Sequence, residues 1–189
     1  TGVSQAPASI VISETDPYDY GLVIVGQAST HTFTLTNTGG IAASAIAEVG
    51  LVAPFDFLGG SFPGTGGTCT ASLAGGANCN IVIEYSPTAS GAHSDTIDIS
   101  YNDGVAAQNS TRDIQGNSSN AAVITISETD PYDYGTVTNG STMTHTFTLT
   151  NTGGVTATSM TGTGLAAPYG FAAGPYPGSP GTCGATLAP

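Results

Sequence analysis

The stretch THTFTLTNTGG, Thr30–Gly40, alternates strictly: His31, Phe33 and Leu35 fall on one face and Thr32, Thr34 and Thr36 on the other. A period of two belongs to a β-strand, whose successive side chains point to opposite faces, and the closing Asn-Thr-Gly-Gly is a turn signal. The same stretch returns at Thr144–Gly154. That offset of 114 also carries SETDPYDYG from Ser13–Gly21 to Ser127–Gly135, and Gly67-Thr68-Cys69 to Gly181-Thr182-Cys183. Residues 7–75 laid on 121–189 agree at about 40 of 69 positions without a gap. Repetition over such a length predicts tandem domains rather than a recurring short motif.

A period of 114 residues suits one compact domain. The expected organisation is a first repeat over residues 1–120 and a second, incomplete one over 121–189. The second copy has no counterpart in the sequence to Cys79–Tyr85, Thr96–Tyr101 or Arg112–Gln115. Each of those reads as a strand, so the expectation is a segment of a longer array, or a unit completed by strands from elsewhere. Phe147 and Leu149 then carry apolar faces that require cover, and Thr1–Ala8 is a weak candidate donor strand.

Period two holds throughout. Ile10 and Ile12 alternate with Val11 and Ser13, and NIVIEY (Asn80–Tyr85) and TIDISY (Thr96–Tyr101) are rich in β-branched and aromatic residues. Turn clusters separate them: NTGG, PGTGG, SPTASG and YNDG. No amphipathic stretch of helical length is present. About seven short strands in one period predict an all-β fold of tandem immunoglobulin-like antiparallel β-sandwiches, without the tryptophan of antibody domains.

Charge excludes several functions. The chain has 13 acidic residues against one basic residue, Arg112. Nucleic-acid binding needs Lys and Arg against phosphate, and anionic membrane surfaces are disfavoured for the same reason. No apolar run is long enough for membrane insertion. Cys69 and Cys79 bracket TASLAGGAN, and are read as a disulfide closing a short hairpin-like loop; the alternative is two unrelated buried thiols. Loop closure of that size is worth roughly 2–3 kcal/mol. A bonded pair implies an extracellular or periplasmic setting, and the expected localisation is extracellular or at the cell surface. Cys183, the image of Cys69, is expected to be unpaired within these residues.

In order along the chain, DYGLVIVGQASTHTFTLTNTGG, GLVAPFDF, PGTGGTC, SLAGGANCNIVIEYSPTASG and YNDG resemble bacterial immunoglobulin-like repeats of the choice-of-anchor D type, relatives of ASPM–SPD-2–Hydin domains. The resemblance covers the first repeat and all of the partial second one. Its core is F-x-L-x-N-x-G, then C-x9-C, then Y-S-P-T-x-x-G. Tyr20 and Tyr134 stand at the aromatic position of the D-[FY]-G turn. The resemblance implies secreted or surface-anchored tandem repeats and brings no catalytic residues.

Candidate sites are few. In SETDPYDYG, Asp16-Pro17-Tyr18-Asp19 reads as a turn between the first two strands. Glu14, Asp16 and Asp19, with Asp103 of YNDG, are candidate oxygen ligands for calcium, as are Glu128, Asp130 and Asp133. The alternative is a solvated acidic turn, and no other cofactor is indicated. His31 and His145 read as partly buried strand residues and His93 as part of a turn. No serine stands in a nucleophile motif, so no enzymatic activity is expected. Asn109, Asn117 and Asn139 match the glycosylation sequon. The functional expectation is a structural protein of an extracellular filament or stalk, whose partners are copies of itself or further repeats. An adhesin for a carbohydrate or surface ligand, with Tyr169, Phe171 and Tyr176 as candidate contacts, is the alternative.

Overall fold

A computed structural model describes residues 4–189. The chain divides into two compact units, Thr1–Ser119 and Asn120–Pro189. Among the described residues every regular element is a strand, and no helix is long and apolar enough to cross a membrane.

Unit 1 contains nine strands: β1 (Ile10–Ile12), β2 (Tyr18–Ile24), β3 (Ser29–Asn37), β4 (Ala43–Glu48), β5 (Phe55–Phe57), β6 (Ser72–Leu73), β7 (Asn78–Tyr85), β8 (Gly91–Asn102) and β9 (Ala107–Ser119). They form a four-stranded sheet in the order β1-β3-β7-β5 and a five-stranded sheet in the order β2-β9-β8-β4-β6. The alternation read from the sequence is the burial pattern found. Phe33 and Leu35 of β3, Ile81, Ile83 and Tyr85 of β7, Ile97 and Ile99 of β8 and Ile114 of β9 are fully buried. Each such side chain stabilises the fold by roughly 1.5–3 kcal/mol. Together they make an immunoglobulin-like sandwich core.

Asn37 lies in that core, fully buried at the end of β3. Its Oδ1 accepts from the backbone N–H of Ser9 (3.1 Å) and Gly39 (3.0 Å). Its Nδ2 donates to the carbonyls of Ile41 (2.8 Å) and Leu73 (2.9 Å). A buried amide is tolerated because each of these bonds replaces one to water. Leu73 is in β6, so one side chain ties the end of the first sheet to the edge of the second. The residue two further on must be glycine, since a Cβ at Gly39 would overlap the Pro7 carbonyl. This is the physical content of N-x-G.

The structure corrects the sequence reading at several points. The sandwich is not purely antiparallel: β2 pairs with β9 in parallel, Tyr18 opposite Ile114 and Ile24 opposite Ser119. β1 and β2 therefore belong to different sheets, and Ser13–Pro17 is the crossing between them. Tyr18 and Asp19, expected in a turn, are already strand. β9 runs past the strand read at Arg112–Gln115 as far as Ser119, and His93, read as part of a turn, lies inside β8. Cys69–Cys79 does not close a simple hairpin, because the intervening β6 pairs with β4 of the opposite sheet. Of the segment Thr1–Ala8, residues 1–3 lie outside the described residues. Ala8 is buried, and its N–H donates to the Asp103 carbonyl (3.0 Å).

Unit 2 holds β10 (Ile124–Ile126) and β11 (Leu149–Asn151), antiparallel, with Ile124 opposite Asn151. An isolated bridge joins Ala157 to Leu187. These pairings lie at the same offset of 114 as Ile10 opposite Asn37 and Ala43 opposite Leu73. Asn151 repeats the four bonds of Asn37, to Val123, Gly153, Val155 and Leu187. The apolar faces are open. Phe147 is 38% exposed where Phe33 is 0%, and Ile126 is 62% exposed where Ile12 is 2%.

Candidate functional site

SETDPYDYG holds the crossing, Ser13–Pro17, and the first residues of β2, and its side chains tie the two sheets together. Ser13 leaves β1 with its N–H donating to the Thr34 carbonyl and its Oγ accepting from Thr34 N–H, both at 3.0 Å. Glu14 then adopts φ of 76°, a left-handed conformation few non-glycine residues take. Its Oε1 lies 3.4 Å from His31 Nε2, a contact that becomes an ion pair when the ring is protonated. On the far side of the ring, His31 Nδ1 is hydrogen-bonded to Tyr18 Oη at 2.9 Å, and the two rings stack with centroids 4.0 Å apart. Desolvation, followed by the charges of Glu14 and Asp19, raises the Tyr18 pKa. Tyr20 is raised further, by burial first and Tyr18 second, and its hydroxyl donates to the Ile83 carbonyl (3.2 Å).

Unit 2 repeats this arrangement with its own residues. Tyr132 Oη meets His145 Nδ1 at 3.0 Å, Glu128 Oε1 lies 3.3 Å from His145 Nε2, and Glu128 has φ of 74°. The sequence reading placed His31 on a strand face, as β3 has it, whereas His145, read the same way, is half-buried outside any strand, ahead of β11; the tyrosine partners of both were missed. The signal was present: tyrosine and histidine recur at the same 13-residue spacing in both copies.

The candidate calcium ligands do not converge. Asp16 faces Arg112, with Oδ2 3.6 Å from Nη1, and its Oδ1 accepts from the Asp113 N–H (3.0 Å). Asp19 accepts from Gly21 N–H (2.7 Å) and Gln115 Nε2 (3.2 Å). Asp103 is elsewhere, in the β8–β9 turn. Its Oδ1 accepts from the N–H groups of Val105 and Ala106, each at 2.7 Å, and its Oδ2 from Gln108 Nε2 (3.1 Å). Those backbone bonds, Ala106 first, hold its pKa below the usual carboxylate value. Asp113 is six residues along β9 from Ala107, so roughly 20 Å separates the Asp16 contact from the Asp103 turn at strand rise. In unit 2, Asp133 likewise accepts from Gly135 N–H (2.7 Å), and Glu128 faces His145. Among the described residues no group of three or more His, Cys, Asp or Glu side chains is placed to hold a metal. The donor set does not fit calcium as arranged, because Glu14, Asp16, Asp19, Asp103, Glu128 and Asp133 are each turned to a partner of their own.

Arg112, the chain's only cation, was not read from the sequence as a contact residue. Its Nη2 donates to the Ile12 carbonyl (2.8 Å), so β9 of one sheet grips the end of β1 in the other. Next to the crossing is a shallow polar depression lined by Pro17, Asp95, Thr96, Asp113 and Gln115. Asp95 is committed within it, accepting from the N–H groups of Val52 and Thr96, both at 2.8 Å.

Cys69 and Cys79 are bonded, with Cα atoms 4.8 Å apart, and Cys183 is a free thiol. Tyr85, whose hydroxyl meets His93 Nδ1 at 2.8 Å, stacks on Phe55 at 4.8 Å. In unit 2, Phe171 and Tyr176 meet edge to face at 5.5 Å, and Tyr169 is 61% exposed.

The HYDIN/CFA65/VesB-like Ig-like domain family matches residues 10–117, more than half of the chain. Comparison with curated proteins finds no match. Similar solved structures include the VesB protease of Vibrio cholerae, 18% identical, with a TM-score of 0.44 over 59% of this chain and 32% of that one. The secreted serine protease VesC from the same organism is 22% identical, with a TM-score of 0.38 over 59% of this chain and 24% of that one. The ASH/PapD-like domain 7 of human CEP192 is 14% identical, with a TM-score of 0.38 over 64% and 91%. This chain thus spans a third or less of the two Vibrio proteins.

Proposed function

The chain belongs to the HYDIN/CFA65/VesB-like Ig-like domain family, and on that premise we propose that it is a structural, non-catalytic repeat protein of an extracellular filament or surface stalk. Within the family we assign it to the choice-of-anchor D type, on F-x-L-x-N-x-G, C-x9-C and Y-S-P-T-x-x-G. Residues 1–120 and 121–189 are read as belonging to tandem sandwiches that act mechanically as units in series. Its partners are further units of the same kind. The observation that carries the reading is the recurrence of pairing register, Ile10 opposite Asn37 and Ile124 opposite Asn151, at the offset of the sequence repeat. The Cys69–Cys79 disulfide supports an oxidising setting. Electron microscopy of the native material tests this. Fibres or stalks with a regular axial repeat are expected, and dispersed single particles would overturn it. An adhesin recognising a carbohydrate is the second reading, favoured by the polar depression at Asp95, Asp113 and Gln115.

A further inference from the structure

Unit 1 has no tryptophan and no methionine, and its two cysteines are bonded to each other. Thioethers and free thiols are the side chains that ordinarily absorb oxidising species, so in unit 1 that chemistry falls to the phenols. Three of them form a connected path. Tyr18 and Tyr20 meet edge to face with centroids 5.0 Å apart, and Tyr20 lies 5.6 Å from Tyr85. Each end of the path is hydrogen-bonded to the Nδ1 of a histidine, Tyr18 to His31 at 2.9 Å and Tyr85 to His93 at 2.8 Å. A neutral imidazole that accepts at Nδ1 carries its proton on Nε2. In His31 that Nε2 faces Glu14 Oε1 at 3.4 Å. The middle ring is different, because the Tyr20 hydroxyl donates to the Ile83 carbonyl (3.2 Å), which is no base. Burial also separates the ends: Tyr85 is fully buried in the core, and Tyr18 is half-buried where the chain crosses between sheets.

We propose that this path is a relay for one-electron oxidation, which carries an oxidising equivalent from Tyr85 in the core through Tyr20 to Tyr18 at the crossing. Its reactant is a one-electron oxidant of the radical class, a species that takes up an electron and leaves as its anion. In the first step Tyr85 gives an electron to that oxidant, its Oη–H bond breaks, and the proton passes to His93 Nδ1 along the 2.8 Å hydrogen bond. In the second, an electron from Tyr18 fills the hole on Tyr85 by way of Tyr20. The Tyr18 proton passes to His31 Nδ1, and Tyr85 recovers its own from His93. What remains is a neutral Tyr18 radical, a protonated His31 and the reduced oxidant. Tyr20 is a stepping stone and not a resting place, since no base stands at its hydroxyl to take the proton. Tyr18 is the terminus, because the Glu14 carboxylate stabilises the imidazolium formed beside it.

The relay empties the ring that stacks on Phe55 at 4.8 Å in the core and leaves the radical where a small enediol or thiol reductant reaches it. Such a reductant returns the electron, and His31 returns the proton. The terminus recurs in unit 2, where Tyr132 meets His145 at 3.0 Å, Glu128 lies 3.3 Å from the same ring, and Tyr134 is 4.9 Å from Tyr132.

The test uses the full chain carrying Cys183→Ser and Ala92→Cys, whose one free thiol then stands at an exposed position of β8 beside His93. That thiol is labelled with a ruthenium polypyridyl photo-oxidant and the label is oxidised by a flash in the presence of a quencher. Freeze-quenched electron paramagnetic resonance reads the total tyrosyl radical, and peptide mapping after a nitroso spin trap reads which exposed ring holds it. The adduct should map to Tyr18. Tyr20→Phe keeps the ring and its packing; it should abolish the Tyr18 adduct while the tyrosyl resonance persists, and adding Tyr85→Phe should remove that resonance. Glu14→Gln should weaken the Tyr18 adduct with the circular dichroism unchanged. Tyr101, whose hydroxyl accepts from the Ile10 N–H (3.3 Å), is the control and should stay unmodified. A Tyr18 adduct that survives Tyr20→Phe would mean direct oxidation by the label and would overturn the relay. Equal modification of Tyr101 would reduce the path to unselective damage, and a radical that never leaves Tyr85 would remove Tyr18 as its terminus.

Discussion

Replacing Asn37 by alanine tests the claim that one buried amide joins the two sheets. The substitution removes four hydrogen bonds of 2.8–3.1 Å. Each is worth about 1 kcal/mol net, and a buried group left without a partner costs more. Ser9 is exposed and its N–H regains water easily, whereas the Leu73 carbonyl belongs to a residue only 6% exposed. The sum is a loss of about 3–5 kcal/mol from unit 1. Domains of this size have roughly 5–15 kcal/mol in total. The melting temperature should therefore fall by about 12–20 °C. Urea unfolding followed by circular dichroism gives the free energy directly. Asn37→Asp sharpens the test, since it keeps two acceptors but loses both donors and buries a charge. Its pKa is raised in the fold, so its stability should recover as pH falls through that raised value. A loss below about 1 kcal/mol for Asn37→Ala would refute the tie.

Reduction of Cys69–Cys79 should lower unit 1 stability by about 3 kcal/mol, from a separation of 10 residues. Alkylation of the unreduced, unfolded chain should label Cys183 alone, and label at Cys69 would contradict the bond. Excess EDTA should leave the melting curve unchanged, because Glu14, Asp16, Asp19 and Asp103 are each turned to other partners; a drop of several degrees would show that they regroup around calcium. Tyr18 and Tyr20 have raised pKa values, so their contribution is present below the unfolded value near 10 and is lost as pH rises through the folded ones. Ultraviolet titration should find Tyr18 and Tyr20 among the last tyrosines to ionise, in step with unfolding of unit 1. Asp103 has a lowered pKa, so its contribution is present above about pH 4 and lost on acidification. Asp103→Asn should flatten the acid limb of the stability profile, and an unaltered limb would remove that assignment.

What was legible in the sequence was whatever depends on neighbours a few residues apart. Alternation in HTFTLT and NIVIEY decided strand faces because burial on one side of a sheet has period two. The crossing at Ser13–Pro17 was not legible. Asp-Pro looks like an ordinary turn, and nothing local says that the next strand will join a partner about 95 residues later, in parallel. Arg112 was visible as the only cation, but its target is a main-chain carbonyl, which has no sequence signature. The acidic residues left two readings open, calcium ligands or an acidic turn, for a related reason. Their clustering in the chain suggested a shared ion, whereas alternation along β2 and the distance to the β8–β9 turn distribute them among separate donors.

The parallel pairing of β2 with β9 has a consequence for load. β2 stands near the beginning of unit 1 and β9 at its end, and they run side by side in the same direction. Tension applied to the two ends of the unit draws these strands along each other, not apart. Tyr18–Ile114, Asp19–Gln115, Leu22–Asn117, Val23–Ser118 and Ile24–Ser119 then resist in shear, all at once. An antiparallel hairpin pulled at its open ends would instead unzip one pair at a time. The irregularity between Asp19 and Leu22 divides the shear patch into two short clamps. Extension of unit 1 should therefore begin with release of β1 from β3 and stall at that patch, before the disulfide-closed loop bears any force.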